Sequence, residues 1–142
     1  MWMVTGYDDA LVKDICYNCG SPVAKQSYNY FRRMAHVTGG KVWEKVWCKV
    51  WTLNGAPVAF YYANRCRDHV RLVEIAVRKE HQGKGTGRRV LFDLLSQMKA
   101  NGLTSLTFRT PIAEDAQHFW THMGAKIMDV KGSDYEMELK IQ

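Results

Sequence analysis

The sequence lacks any long apolar run. None of its 142 residues lies in a stretch near the ~18 apolar residues that a membrane-spanning helix needs, so no membrane span is predicted. Residues 1–5 carry no basic patch followed by an apolar core, and we therefore expect no secretory signal and a cytoplasmic location. The short length predicts one domain over residues 1–142.

Cysteine and proline are scarce, with four and three residues. So few cysteines exclude a disulfide scaffold, and in the cytoplasm they would be reduced thiols. Cys16-x-x-Cys19 and Cys66-x-x-His69 leave a zinc site as an open alternative, although we favour ordinary buried thiols and predict no metal. Cys48 lies on the apolar valine face of its predicted strand, which argues against a nucleophile.

Charge is unbalanced, because Lys plus Arg number 20 and Asp plus Glu number 14, giving a net charge of +6. This excess suits an anionic partner, such as a nucleic acid, a phosphorylated cofactor or an acidic surface, without choosing among them. Apolar residues make up 46% and charged residues 24% of the chain, which is typical of globular proteins and argues against disorder or a coiled coil.

The spacing of apolar residues predicts the element order β-α-α-β-β-β-α-β-α-β-β. The predicted strands cover residues 2–5, 42–53, 58–63, 70–77, 103–108, 125–130 and 135–141. The predicted helices cover residues 9–17, 23–35, 88–99 and 113–122. Because hairpins alternate with strand–helix–strand crossovers, the order predicts a mixed α/β domain whose sheet is mixed rather than wholly parallel.

A loop with three glycines separates the strand at 70–77 from the helix that follows. Its glycines are Gly83, Gly85 and Gly87, and Lys84, Arg88 and Arg89 add positive charge. Unpaired amides and the dipole at a helix start attract anions, and glycines let a phosphate approach closely. The loop therefore predicts a pyrophosphate cradle, with a flexible loop before a helix as the alternative. It matches neither the Walker pattern nor the dinucleotide fingerprint.

Gln82-x-x-Gly85-x-Gly87, following an apolar strand and opening a helix, resembles the acetyl-CoA-binding signature of the GNAT superfamily of N-acetyltransferases. The predicted element order is similar to that family's along nearly the whole chain. The resemblance implies a GNAT-like α/β (α+β) fold with a mostly antiparallel central sheet flanked by helices. It also implies acetyl-CoA as co-substrate without a metal, and a small-molecule or protein amine as acceptor. The family often forms homodimers, so a homodimer is an open alternative.

The resemblance further implies which residues bind the cofactor. In the family, the strand before the loop pairs with the pantetheine arm, and a bulge in it opens the acetyl pocket. The matching residues are Ile75, Ala76 and Val77, so the resemblance implies that the bulge lies there too. An amide near Val77 would stabilise the oxyanion. The residues matching the pyrophosphate loop are Gln82, Gly83, Lys84, Gly85, Thr86, Gly87 and Arg88.

Glu74 is the predicted general base. An attacking amine must be neutral, yet a lysine-type amine is protonated at neutral pH, so a base is useful. Glu74 immediately precedes the pantetheine-binding stretch, where many family members carry an acidic residue. The alternative is a structural residue, solvated or paired with Arg71.

A second family motif, in the last helix, is matched at Ala116 and Gly124 but has Trp120 where the family carries a tyrosine. That tyrosine usually protonates the departing CoA sulfur, and an indole N–H cannot do so. We predict that Trp120 packs against the cofactor arm and leave the general acid unassigned. His118 and His122 are interpreted as surface groups.

Two aromatic groups leave alternatives open. The first could stack on single-stranded nucleic acid, although we favour the core or a cleft wall; it comprises Trp43, Trp47 and Trp51 with Lys45 and Lys49. The second either borders the acceptor site or forms a half-buried helix face; it comprises Tyr28, Tyr30, Phe31, Arg32 and Arg33.

The function predicted from these features is transfer of an acetyl group from acetyl-CoA to a primary amine. The amine would attack directly in a ternary complex, without an acyl-enzyme. The first alternative is a non-catalytic acyl-CoA-binding module, because the acid position is altered. A basic nucleic-acid-binding protein is less favoured, so nucleic acid is not the expected partner.

Overall fold

The computed structural model describes residues 1–37, 46–112 and 116–141, and within them seven strands and four α-helices. The strands are β1 (Trp2–Thr5), β2 (Val46–Leu53), β3 (Ala56–Arg65), β4 (Val70–Val77), β5 (Ser105–Pro111), β6 (Lys126–Lys131) and β7 (Asp134–Lys140). The helices are α1 (Asp9–Tyr17), α2 (Pro22–Val37), α3 (Thr86–Ala100) and α4 (Ala116–His122), and a short 3-10 turn covers Lys79–His81. In this described part of the chain, no helix is long and apolar enough to span a bilayer.

The strands form one sheet in the order β1-β2-β3-β4-β5-β7-β6. Neighbouring strands are antiparallel except for β4 and β5, which are parallel. The predicted element order and the mixed, mostly antiparallel sheet are therefore confirmed. Residues 42–45 and 113–115, predicted to begin β2 and α4, lie outside the described residues. Helix α3 begins at Thr86 rather than at residue 88, because Gly85 caps it.

Local signals in the sequence set several of these boundaries. The Asp8 side chain accepts a hydrogen bond from the Leu11 amide at 3.0 Å and caps α1, as short polar residues do at helix starts. Between β2 and β3, Asn54 and Gly55 have φ of +53° and +83°. Both central residues of this tight hairpin turn need positive φ, which explains why the chain turns here.

Each face of the sheet has its own apolar core. Helices α1 and α2 cover one face, where Phe31 and Phe60 are fully buried. Helices α3 and α4 cover the other, where Leu94 and Leu106 are fully buried. The cleft described below lies where the central strands between these two cores separate.

Strand β2 contributes to both cores, as its alternating pattern predicts. Val50 is buried against α1 and α2, whereas Trp47 and Trp51 are partly buried against the core under α3. The Nζ of Lys49 bonds the Asp93 carboxylate of α3 at 2.9 Å. The two tryptophans therefore pack in the core and Lys49 forms an ion pair, so these side chains do not form an open platform for base stacking. Trp43 and Lys45 lie outside the described residues.

An ion pair bridges the parallel junction of the sheet. The guanidinium of Arg71 in β4 makes two hydrogen bonds to the Glu136 carboxylate of β7. The Nε of Arg109 in β5 lies 3.5 Å from Glu136 Oε1. The hydrogen bonds from Arg71 are the main cause that lowers the pKa of Glu136 below its ordinary value.

This ion pair predicts an acid-sensitive contribution to stability. Because the pKa of Glu136 is lowered in the folded protein, its contribution is complete above the ordinary glutamate pKa of about 4.3 and is lost as pH falls through the folded value. We expect the free energy of unfolding of Glu136→Gln to fall less steeply on acidification than that of the wild type. Urea unfolding at a series of acidic pH values measures both slopes. Equal slopes for the two proteins would show that the Glu136 ion pair does not cause the acid-sensitive part of the stability.

Candidate active site

The sheet opens between β4 and β5. The two strands pair only at the beginning of β4, where Val70 lies opposite Leu106 and Arg71 lies opposite Thr107. From there to Val77, β4 has no β5 partner within the described strands. An unpaired strand edge presents N–H and C=O groups to any extended molecule laid beside it. This edge therefore fits the predicted site for a pantetheine arm.

A bulge in β4 accompanies the opening. Glu74 lies opposite Tyr62 of β3, but the next residue of β3, Ala63, lies opposite Leu72. Val73 is therefore an extra residue, and such an insertion bends and twists its strand. The family resemblance puts the bulge at residues 75–77. The register corrects this position, because the extra residue comes just before Glu74.

A cavity of about 230 Å³ fills the opening. The predicted site residues that line it are Glu74, Ile75, Ala76, Val77, Gln82 and Trp120. The remaining predicted residues follow Gln82 directly and form the loop and the first turn of α3; they are Gly83, Lys84, Gly85, Thr86, Gly87 and Arg88. The loop thus begins at the cavity wall, where Gln82 is the loop residue that lines the cavity.

Two residues of the loop require glycine. Gly83 and Gly85 have φ of +76° and +80°, a region that other residues rarely adopt. Gly85 is the N-cap of α3, so the amides of the first turn, from Thr86 onward, have no partner within the helix. At Gly87 an added Cβ would lie 3.7 Å from Val77 Cγ2, an ordinary contact. The loop therefore presents amide donors to an anion, as a phosphate cradle requires.

The Gln82 side chain anchors the loop to the cavity. Its Nε2 donates to the carbonyl oxygens of Cys19 at 2.7 Å and Val77 at 2.9 Å. Just before the loop, the Lys79 amide donates to the Asn18 carbonyl at 2.8 Å. The signature glutamine therefore holds the end of β4 and the segment after α1 together, which positions the loop.

Glu74 is half-buried in the cavity wall. Its Oε2 accepts a hydrogen bond from Ser27 Oγ of α2 at 2.7 Å. Arg71, the partner considered for it from the sequence, binds Glu136 instead, so that pairing is wrong. A carboxylate oriented by a hydroxyl beside a cavity is a candidate general base.

Trp120 forms part of the wall opposite β4. Its side chain is only 5% exposed, and its ring lies 4.0 Å from that of Phe108, centroid to centroid. On the same helix, His118 and His122 are exposed, as predicted. The indole is thus fixed by packing beside the cavity.

Thr110 of β5 also lines the cavity. Its hydroxyl is buried and has no hydrogen-bond partner among the described residues. A buried unpaired hydroxyl costs about 1–3 kcal/mol, and a polar ligand group in the cavity would offset that cost. This orphaned group, the open edge of β4 and the loop amides together fit a ligand with both polar and extended parts. No sequence pattern singled out Thr110.

The four cysteines are free thiols in different surroundings. Cys16 and Cys19 are buried in the core under α1 and α2, while Cys66 lies in the turn after β3, where its amide bonds the His69 carbonyl at 2.9 Å. Within the described ranges, no group of three or more metal-binding side chains occurs. Burial raises the pKa of the Cys48 thiol to about 12, which keeps it protonated at neutral pH.

Helix α2 meets the site through its first turns. Tyr28 and Phe31 are buried in the core, so the half-buried face predicted as one alternative is confirmed for them. Val23 and Gln26 of α2 line a groove of about 580 Å³ next to the first cavity. Sequence reasoning missed both, because only the tertiary packing of α2 against the sheet brings them there.

A split between parallel central strands, with a glycine loop capping a helix at one end, is the architecture of an acyl-CoA-dependent acetyltransferase. Residues 17–125 match the model of the Acetyltransferase (GNAT) family. The chain belongs to this family. Use of coenzyme A and acetyl transfer in general follow from this membership.

Solved structures share the fold along the whole chain. The PaiA N-acetyltransferase from Thermoplasma acidophilum, in complex with coenzyme A, has a TM-score of 0.79 at 12% identity, covering 99% of both chains. The ribosomal-protein-S18-alanine N-acetyltransferase from Escherichia coli has a TM-score of 0.78 at 18% identity, covering 100% of this chain and 95% of that one. A Bacillus subtilis acetyltransferase in complex with CoA has a TM-score of 0.72 at 14% identity, covering 99% and 98%. At these identities the similarity establishes the fold.

Proposed function

We propose that the protein transfers the acetyl group of acetyl-CoA to a primary amine by direct attack in a ternary complex. One observation carries the proposal: Glu74 lies in a cavity that continues from the glycine loop on one side and borders an open groove on the other. An acyl donor and an amine could therefore reach the same carboxylate from two directions. Family membership supports acetyl transfer in general. The primary amine acceptor and the direct attack in a ternary complex are the parts that we propose.

The cofactor-binding residues are proposed from the same geometry. Backbone groups of Ile75, Ala76 and Val77 would bond the pantetheine arm along the open edge of β4, with Trp120 as the opposite wall. The pyrophosphate would lie on the amides of the loop and of the first turn of α3. The residues that would form this part are Gln82, Gly83, Lys84, Gly85, Thr86, Gly87 and Arg88.

The chemistry requires the protein to position the two substrates and to accept one of the two protons that the acceptor ammonium loses. Acetyl-CoA supplies a thioester as acyl donor, and its thiol, with a pKa near ~8.5, is a good leaving group without an assigned acid. Glu74, oriented by Ser27, would accept a proton from the acceptor ammonium, freeing its lone pair to form the new C–N bond. An amide near Val77 is the proposed donor to the negative charge that develops during attack. The C–S bond then breaks, CoA leaves as the thiolate, and the new amide nitrogen loses its remaining extra proton to that thiolate or to water.

Ligand-dependent thermal shifts test whether the protein binds acyl-CoA, a property that the enzyme and the non-catalytic module share and that the nucleic-acid-binding alternative lacks. A ligand that binds only the folded state stabilises it by about 2.7 kcal/mol at a concentration of 100 Kd. We expect acetyl-CoA and CoA to raise the melting temperature. Salt-sensitive binding of an oligonucleotide that CoA does not displace, with no shift from acetyl-CoA, would instead favour the nucleic-acid-binding alternative.

A further inference from the structure

Two cavities share a wall that includes Val73, the residue before Glu74. The groove of about 580 Å³ runs between the first turns of α2 and the open face of β5 and β7. It shares part of its wall with the smaller cavity, namely Val23, Leu72, Val73, Arg109 and Pro111. If the smaller cavity holds the acyl group, this groove offers a path for the acceptor.

Among the residues that the structure describes, Arg109 is the one charged residue that lines both cavities. In the smaller cavity it is the single cation, and Glu74 the single anion, among the described lining residues. A bound acceptor would therefore meet a carboxylate and a guanidinium at the junction. Asp134 and Arg71 line the groove farther from this junction, since neither borders the smaller cavity.

Arg71 and Arg109, the two arginines of the groove, differ in how closely they pair with Glu136. Arg71 binds Glu136 through both terminal nitrogens. Arg109 pairs less closely with the same carboxylate, with its Nε 3.5 Å from Oε1, and its side chain is 52% exposed. Because Arg71 makes the closer pair with Glu136, Arg109 is the arginine of the groove whose side chain is more exposed to a ligand. A guanidinium fork matches the two oxygens of a carboxylate.

We infer that Arg109 binds a carboxylate on the amine acceptor, so that the preferred acceptors are amino acids or other amines bearing an anionic group, rather than polyamines. The inference rests on the proposed function and deepens it. The guanidinium holds the acceptor by its carboxylate, and the amine end reaches Glu74. A polyamine would be repelled by the positive charge of Arg109 and has no carboxylate for the guanidinium to bind.

Matched acceptors test the inference. For each of several amino acids, kcat/KM is measured with the free acid, its carboxamide and the amine lacking the carboxyl group, and a polyamine completes the set. We expect the wild type to prefer the free acids by roughly tenfold or more, as a charge-assisted hydrogen bond predicts. Arg109→Gln should remove this preference by raising KM roughly 10- to 100-fold for the acids alone, with kcat little changed. Arg109→Lys should recover part of it.

Controls separate this inference from the function on which it rests. Arg67→Gln makes the same charge change at an exposed position away from both cavities and should leave the preference intact. The Kd for acetyl-CoA should be the same in Arg109→Gln as in the wild type. Equal losses for acids and carboxamides, or a wild-type preference for the polyamine, would overturn the inference while acetylation itself stands. Acetylation of no amine at all would overturn the proposed function and this inference with it.

Discussion

Gly85→Glu is expected to abolish the rise in melting temperature that acetyl-CoA produces. Gly85 caps α3 in the left-handed region with φ of +80°, so any other residue adds strain of about 1–2 kcal/mol. The new carboxylate would also lie where the loop amides are proposed to hold a pyrophosphate. Repulsion and blocked access should weaken binding by roughly 100-fold or more, about 2.7 kcal/mol. Thermal shift and direct titration with CoA measure the loss.

Two variants separate the effect of the cradle from that of strain. Gly102 has φ of +71°, lies just after the other end of α3 and is surrounded by open space. Gly102→Glu therefore brings a similar strain and the same charge, and should keep the cofactor-induced shift. Gly85→Ala adds strain without charge, and should bind more weakly than the wild type but better than Gly85→Glu. An unchanged CoA affinity in Gly85→Glu would refute the proposed pyrophosphate site.

Glu74→Gln is expected to lower kcat by roughly 10²- to 10⁴-fold, the usual contribution of general acid–base catalysis. The amide keeps the size of the side chain and can still accept the Ser27 hydrogen bond, but it cannot take a proton. The Kd for acetyl-CoA should therefore be unchanged. The limb of the pH–rate profile that reports the base should disappear. Steady-state kinetics across pH, with isothermal titration of acetyl-CoA, measure both effects.

The matched control for this variant is Glu138→Gln. Glu138 lies in β7, outside both cavities, where it accepts a hydrogen bond from Ser105 at 2.6 Å, so its variant should keep full activity. Ser27→Ala leaves the Glu74 carboxylate in place but removes the donor that orients it, and a loss of about tenfold or less is expected. A normal rate in Glu74→Gln across the whole pH range would exclude Glu74 as the base.

The parts of the molecule that could be predicted are those encoded by neighbouring residues. Alternation along β2 separates Val50 from Trp47 because side chains of a strand point to opposite faces. Asn54-Gly55 marks a hairpin because both residues tolerate positive φ. The glycine loop is recognisable for the same reason, since strand, loop and helix start follow one another in the chain.

The parts that were missed depend on contacts between distant segments. Ser27 and Glu74 meet because α2 packs over β4, and neither residue belongs to a pattern that includes the other. Arg109 shares Glu136 with Arg71 only because β5 lies between β4 and β7. The bulge at Val73 depends on how β4 pairs with β3, so local apolar spacing could not locate it.

The central claim, direct transfer from acetyl-CoA to an amine, is tested most directly by incubating the protein with acetyl-CoA alone and with a panel of amines. The concentration of free CoA thiol is measured over time, and mass spectrometry measures the masses of the amines and of the protein. We predict that thiol appears only with an acceptor, in equal amount to acetylated amine, and that the protein mass does not change. An acetylated protein formed without amine would contradict direct attack, with Cys19 in the cavity wall as the first residue to examine. Cofactor binding without thiol release from any amine would contradict catalysis.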